Sequence, residues 1–126
     1  IYYSPYDFYT FKGGFTQILE IELKRALKLR TAAQVKDFKL KNSPVSYVTA
    51  GAPPMLLFHT DPDNTVPVQQ AQEMDEVLKK AGVDYEMVIY KGPGMDHGFV
   101  LTNPDGKEAV DSKNRALAFL RKHLGN

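Results

Sequence analysis

The sequence predicts an α/β domain in which parallel strands alternate with helices. Two observations indicate this fold class. A short continuous apolar segment beginning at Met55 is followed by a segment with helical spacing that ends near Ala81, and the same order recurs from Val83 to Leu124. The links between these segments are short, which favours right-handed crossovers between strands that run in the same direction.

The elements of the second half are predicted in order. Met55 to His59 is a continuous apolar run that follows two prolines, which is typical of a strand buried on both faces of a parallel sheet. A helix is expected from Pro67 to Gly82, because apolar residues recur at helical spacing and glycine is favoured just past a helix end. Val83 to Tyr90 is predicted to be the next strand. A last amphipathic helix is expected after the turn signal at residues 103–106.

The first half gives weaker signals. Ile1 to Tyr3 is expected to be the end of a strand, since a Ser-Pro pair follows it. Phe15 to Val35 is predicted to form one helix or two short ones. Lys36 to Asn42 is expected to be a polar connector, and Ser43 to Tyr47 is expected to return the chain to the sheet.

Composition limits the classes of function. The chain has 126 residues, 43% hydrophobic and 25% charged, as expected for one soluble domain or a piece of a larger one. A net charge of +1 gives no electrostatic basis for binding nucleic acid, and no apolar run approaches the roughly 18 residues of a membrane span. The absence of cysteine excludes disulfides, thiolate metal sites and cysteine nucleophiles. It leaves the compartment open between cytoplasmic and secreted.

Two polar residues follow the two predicted strands. Asp63 comes just after the first strand and His97 just after the second, so both are expected at the carboxyl edge of the sheet. Neighbouring strands lie about 4.8 Å apart, so their loops can bring an aspartate and a histidine into hydrogen-bond contact. Such a pair activates the serine of a hydrolytic triad. The serines of this chain, however, lie outside any G-x-S-x-G turn: Ser4, Ser43, Ser46 and Ser112.

Other interpretations of these residues remain open at this stage. Asp61 competes with Asp63 as the acid, and Asp63 could instead support an Asx turn or a helix cap. Residues 61–64 resemble part of a calcium loop but lack the spaced ligands, the glycine and the terminal glutamate of an EF-hand. His97 could bond a backbone carbonyl, and Ser46 could act as a surrogate nucleophile.

Further polar and aromatic residues have structural interpretations beside functional ones. His59, at the end of the first strand, is expected to be a hydrogen-bonded structural residue rather than a ligand. The basic residues of the first half could bind phosphate or a membrane surface, but are better explained as the solvated face of a helix. Aromatic residues near the start of the chain could line an acyl pocket or pack in the core: Tyr2, Tyr3, Tyr6, Phe8, Tyr9 and Phe11.

The segment from Ser43 to Phe99 resembles the C-terminal part of an α/β-hydrolase of the carboxylesterase type. It is similar to acetylesterases, feruloyl and acetyl-xylan esterases, and dienelactone-hydrolase-like and prolyl-oligopeptidase-like enzymes. The family pattern runs through two prolines, an apolar run, HG-x-x-D-x-x-VP, a helix ending in AG, a strand and G-x-x-HGF. This sequence matches it as PPMLLFHTDPDNTVP, AG and GMDHGF. Thr60 replaces the usual glycine, and Asp96 precedes His97 where the family commonly has a small residue.

The resemblance implies that Asp63 is the triad acid and His97 the triad base. It also implies that residues 1–126 are a C-terminal fragment of the fold, with the acid and base loops within residues 55–99 and a cap or lid segment at about residues 12–42. The expected activity is hydrolysis of a small-molecule carboxylic ester, without a metal or cofactor. The serine would lie in a missing N-terminal half or in a second chain, so this chain alone is expected to be inactive.

A different class of function remains open beside this one. Half of a hydrolase sheet has an exposed edge, so the chain could be a non-catalytic module that binds a partner or forms a homo-oligomer.

Overall fold

The computed structural model describes residues 1–13 and 16–125. Two helices come first, followed by a short 3-10 helix, and then strands and helices alternate. The bounds are α1 Thr16–Ala26, α2 Ala32–Asn42, the 3-10 helix Pro44–Tyr47, β1 Met55–Asp61, α3 Gln69–Ala81, β2 Tyr85–Lys91, α4 Phe99–Thr102 and α5 Lys107–Leu124.

The two strands confirm the predicted parallel sheet. β1 pairs with β2 in parallel, from Met55 opposite Tyr85 to Asp61 opposite Lys91. β1 is longer than the predicted Met55 to His59 because this pairing continues for two further residues. The five central residues of β1 are buried, whereas β2 is only partly covered. The carboxyl ends of both strands therefore lie at one edge, where the loops carrying Asp63 and His97 begin.

The start of the chain lies along the other side of β1. Tyr2 forms a parallel bridge with Phe58. The Phe58 N–H donates to the carbonyl of Ile1 (2.8 Å), and the Tyr3 N–H donates to the carbonyl of Phe58 (3.1 Å). Residues 1–3 thus have the position of a third parallel strand end, as expected, and Tyr3 emerges at the same edge as the two loops.

Helix α3 connects β1 to β2 and supplies much of the core. Met74 and Leu78 on α3 are buried in one cluster with Leu57, Tyr6 and Val83. The helix ends as predicted, at a glycine with a left-handed backbone (φ 70°). It begins at Gln69 rather than at the predicted Pro67. This helix therefore covers the paired strands and links the acid loop to β2.

One prediction for the first half is wrong. Residues 36–42 are not a connector but the body of α2, which begins with a capping box in which Thr31 and Gln34 bond each other's backbone N–H. The many polar residues of α2 are mostly exposed on a surface helix, with Val35 buried. Residues 44–47, which were expected to return the chain to the sheet, form the 3-10 helix that precedes β1. The predicted helical segment 15–35 is two helices, and its residue Phe15 lies outside the described residues.

Helix α5 confirms the last predicted helix, but its leucines are largely exposed. Leu117 and Leu120 are about half exposed, and Leu124 is 79% exposed. The buried residues of α5 are Ala109 and Ser112. Among residues 1–13 and 16–125, no helix combines the length and apolarity needed to cross a membrane.

Candidate active site

The loop after β1 holds a fully buried carboxylate. The side chain of Asp63 has no exposed surface. Its Oδ1 accepts the backbone N–H groups of Thr65 (2.9 Å) and Val66 (2.8 Å). These bonds form a turn of the Asx type, so the alternative interpretation of Asp63 as a turn residue is also correct, but it uses only one of the two oxygens. Since burial of a carboxylate is costly unless its oxygens are hydrogen-bonded, the turn stabilises the charge while leaving Oδ2 available.

The loop after β2 brings His97 to that second oxygen. The distance between His97 Nδ1 and Asp63 Oδ2 is 3.0 Å. A carboxylate oxygen only accepts, so Nδ1 carries the proton and donates it. When the ring is neutral, Nε2 carries no proton, and residues 1–13 and 16–125 offer it no hydrogen-bond partner. The side chain is 37% exposed, so this nitrogen can be approached from outside.

A second imidazole lies beneath Asp63 and fastens the same turn. His59 is 1% exposed, and its Nε2–H donates to the carbonyl of Val66 (2.8 Å). The same nitrogen is 3.8 Å from Asp63 Oδ2. Thr60, also fully buried, donates weakly to that oxygen (3.4 Å). His59 is therefore a hydrogen-bonded residue of the interior, as expected, and it orders the backbone that surrounds the acid.

The aromatic ring of Tyr3 packs beside the imidazole of His97. The two ring centroids are 5.0 Å apart, and the Tyr3 ring also meets the edge of Phe99 at 5.7 Å. The Tyr3 hydroxyl accepts the N–H of Val100 (3.4 Å), and burial raises the pKa of Tyr3 to about 12, so the hydroxyl stays neutral. Its backbone has φ 50°, which is strained for a non-glycine residue and places the ring against the imidazole.

Asp96 connects the two loops at the surface. Its Oδ1 accepts the backbone N–H of His97 (2.7 Å) and that of Asn64 (3.2 Å). The competing acid, Asp61, is instead 3.4 Å from Lys91, with its side chain 40% exposed. Geometry therefore selects Asp63 over Asp61 as the carboxylate paired with His97.

The other candidate residues do not join this pair. Each serine hydroxyl donates to a backbone carbonyl elsewhere: Ser4 to Tyr2, Ser43 to Lys39, Ser46 to Leu40 and Ser112 to Ala109. In the first half, Lys24 and Lys39 both bind the carboxylate of Glu20 (2.8 and 2.6 Å). The Lys24 side chain is solvated, as expected, whereas the Lys39 side chain is mostly covered. No cluster of three or more His, Cys, Asp or Glu side chains that could hold a metal occurs in the described part of the chain.

The sequence alone did not identify three of these contributions. Tyr3 could be connected with His97 only if the end of its strand were placed beside β1. The two backbone N–H groups that bind Asp63 depend on the turn, although Asp followed two residues later by Thr is a common signal for it. Asp96 was visible as an added negative charge, but its bond to Asn64 joins residues that are 32 positions apart.

Comparison with known proteins shows which family the chain belongs to. A family model described as BD-FAE matches residues 2–78, which is more than half of the chain and includes the Asp63 loop. The chain belongs to the BD-FAE family. The match ends before His97, so the family model does not cover this histidine. Its pairing with Asp63 comes from the geometry above, and its assignment within the family comes from the resemblance of GMDHGF to the hydrolase pattern.

This BD-FAE chain is also similar to named esterases. It is 33% identical to Esterase LipC of Mycobacterium tuberculosis over 79% of this chain and 24% of LipC. It is 31% identical to the probable carboxylic ester hydrolase LipM of the same organism, over 79% of this chain and 23% of LipM. Among solved structures, the propionate-bound thermophilic esterase Est2 of Thermogutta terrifontis is 32% identical, with a TM-score of 0.60 over 86% of this chain and 37% of Est2.

These matches confirm the predicted α/β-hydrolase fold of the carboxylesterase type and support ester hydrolysis at the level of the family. The chain spans about a quarter of the length of the curated relatives it matches.

Proposed function

We propose that this chain supplies the acid and base of a Ser-His-Asp triad that hydrolyses carboxylic esters. The observation that carries the proposal is the 3.0 Å bond from His97 Nδ1 to the buried Asp63 carboxylate, with Nε2 left free at the carboxyl edge of the sheet. This is the protonation pattern that a general base requires, since the nitrogen facing the substrate can accept a proton. The hydroxyls of the four serines of the chain donate to backbone carbonyls elsewhere, which supports a nucleophile outside residues 1–126.

The reaction proceeds in two halves. The serine hydroxyl attacks the ester carbonyl while His97 Nε2 accepts its proton, and Asp63 stabilises the imidazolium that forms. The imidazolium then donates the proton to the leaving alcohol, which leaves an acyl-serine. Water attacks the acyl group with the same assistance from His97 and releases the carboxylic acid.

Short acyl groups are the substrates that the comparisons favour. A structure of the similar esterase Est2 holds propionate, the product of hydrolysis of a propionyl ester. The present chain contains an apolar cavity of about 330 Å³ between α1, α2 and the segment before them. Its apolar lining comes from Phe8, Phe11, Leu23 and Phe38. We propose that residues 12–42 form a cap, in which the two helices would place this cavity over the acyl side of the substrate.

Two exposed surfaces of the chain support the proposal that a further part completes the fold. The outer edge of residues 1–3 has no neighbouring strand among the described residues. Leu117, Leu120 and Leu124 of α5 are exposed, although apolar helix faces usually pack against another element. The missing strands, whether in the same polypeptide or in a second chain, would cover such surfaces and bring the serine to His97.

The test is ester hydrolysis by the full-length protein that carries this segment, with His97→Ala compared with His123→Ala. His123 is a histidine on α5 that contacts Phe119 and is remote from Asp63 in the contacts described. We expect His97→Ala to lower kcat for p-nitrophenyl propionate by about 10⁴-fold or more, and His123→Ala to leave it within about threefold. Circular dichroism checks that both variants fold. Retention of a tenth or more of the activity by folded His97→Ala would remove His97 from the mechanism.

A further inference from the structure

The carboxylate of Asp96 is bonded to the backbone of both loops of the candidate site. The Asn64 N–H that it accepts belongs to the residue after Asp63, and the other N–H belongs to His97 itself. One oxygen atom therefore joins His97 to the residue that follows Asp63, next to the Asp63–His97 bond. The remainder of the Asp96 side chain is exposed and packs in no core.

The loop before His97 has little else to hold it in place. Residues 91–94 are exposed, and Gly92 and Gly94 have positive φ values of 124° and 80°. In the described part of the chain, the hydrogen bonds that join the residue 62–66 loop to the residue 92–98 loop are those made by His97 Nδ1 and by Asp96 Oδ1. Without the second bond, the His97 side chain would make the remaining hydrogen bond between the two loops, and the loop would otherwise be held by its own turn bonds and by the packing of Tyr3 against His97 and the buried Phe99.

Charge strengthens this link. A hydrogen bond from an N–H to an ionised carboxylate is stronger than one to a neutral acceptor. The N–H groups of His97 and Asn64 hold the pKa of the Asp96 carboxyl below its ordinary range, so the group is ionised at neutral pH.

We propose that Asp96 is a positioning residue. It links the loop of residues 92–98, which carries His97, to the loop of residues 62–66, which carries Asp63, and thereby keeps the His97 imidazole in position for proton transfer. This inference rests on the proposed function. It assigns Asp96 no contact with substrate, so its effect must pass through His97. A displacement of the imidazole of about 1 Å is sufficient to slow proton transfer strongly.

Two substitutions at Asp96 separate the link from its charge. Asp96→Ala removes both hydrogen bonds, whereas Asp96→Asn keeps an oxygen that can accept the same two N–H groups without the charge. In the full-length protein we expect Asp96→Ala to lower kcat about tenfold with KM unchanged, and Asp96→Asn to recover most of that loss. Asp105→Asn is the matched control, because Asp105 is an exposed aspartate in the turn before α5.

Amide hydrogen exchange measures the link without using activity. We expect the amides of Asn64 and His97 to exchange about tenfold faster in Asp96→Ala than in the wild type, and at near wild-type rates in Asp96→Asn. Unchanged exchange, unchanged kcat, or an equal loss of kcat in the two Asp96 variants would each overturn the proposal.

The same experiments separate this inference from the proposed function. If His97→Ala abolishes hydrolysis while Asp96→Ala does not slow it, the triad assignment stands and the positioning role fails. If His97→Ala leaves hydrolysis intact, the triad assignment fails and the catalytic part of the inference fails with it, whatever the amide exchange shows about the loops.

Discussion

Replacing Asp63 with asparagine should move the ring proton of His97 from Nδ1 to Nε2 and leave the shape of the turn nearly unchanged. Asp63 Oδ1 accepts two backbone N–H groups, at 2.9 and 2.8 Å, so an NH₂ group cannot occupy that position without facing two donors. The carbonyl oxygen of asparagine must take it, which directs the NH₂ group at His97 Nδ1. That nitrogen then has to accept, and the ring proton moves to Nε2.

The size of the effect follows from this tautomer. Protonated Nε2 cannot accept the serine proton, and the imidazolium loses its carboxylate partner. In Ser-His-Asp hydrolases such a change lowers kcat by about 10⁴-fold, or about 5 kcal/mol of transition-state stabilisation. The two backbone bonds survive, so we expect a loss of folding stability of only about 1–3 kcal/mol, from exchanging a charged acceptor for a neutral one.

The assay combines kinetics with spectroscopy of the full-length protein. Hydrolysis of p-nitrophenyl propionate gives kcat, and ¹⁵N chemical shifts of the His97 ring report which nitrogen carries the proton. Asp61→Asn is the control, since Asp61 makes an exposed ion pair with Lys91 and such pairs contribute about 0–1 kcal/mol. The reasoning is refuted if Asp63→Asn keeps kcat within tenfold of the wild type, or if His97 remains protonated on Nδ1.

Two further predictions concern stability. Leu78 is fully buried in the core cluster, so Leu78→Ala should lower the free energy of unfolding by about 2–5 kcal/mol in urea titrations, whereas Leu101→Ala, at an 85% exposed position, should change it by less than about 0.5 kcal/mol. Equal effects of the two would contradict the assigned core. The ammonium groups of Lys24 and Lys39 lower the pKa of Glu20 from 4.5 to about 2, so this carboxylate stabilises the folded state above pH 4.5 and ceases to do so as the pH falls toward 2. Glu20→Gln should therefore lower the melting temperature near neutral pH and have a smaller effect near pH 2; a deficit that does not shrink on acidification would refute the pairing.

The sheet could be predicted because its signals are local. The apolar run of β1, the helical spacing of α3 and the glycine at 82 each depend on a few neighbouring residues, and short links then require parallel strands. The segment 36–42 was misassigned because a surface helix with little buried area carries a weak apolar pattern. Its start was nevertheless encoded in the Thr31 and Gln34 capping box, which is a stronger signal than the composition that follows.

The site could be predicted only as far as strand order allowed. Asp63 and His97 follow consecutive parallel strands, whose carboxyl ends must meet, so their proximity was predictable. The choice of Asp63 over Asp61 came from the resemblance to the hydrolase pattern and not from strand order, because strand order alone does not say where β1 ends or how the turn is bonded. Asp61 still pairs with Lys91 as the last residue of β1, and the chain turns only afterwards. The strand end at residues 1–3 was predicted, but its position beside β1 was not. The left-handed backbone of Tyr3, which turns its ring toward the site, is not indicated by the local sequence either.

The most direct test of the central claim is to find the nucleophile that His97 activates. The full-length protein would be treated with a fluorophosphonate, which reacts with activated serines, and the modified residue identified by mass spectrometry. We expect modification of a single serine outside residues 1–126, lost in His97→Ala and retained in His123→Ala. Modification that does not depend on His97 would contradict the claim that Asp63 and His97 are the acid and base of the triad. Modification of Ser46 or another serine within this chain would contradict the claim that the nucleophile lies outside it.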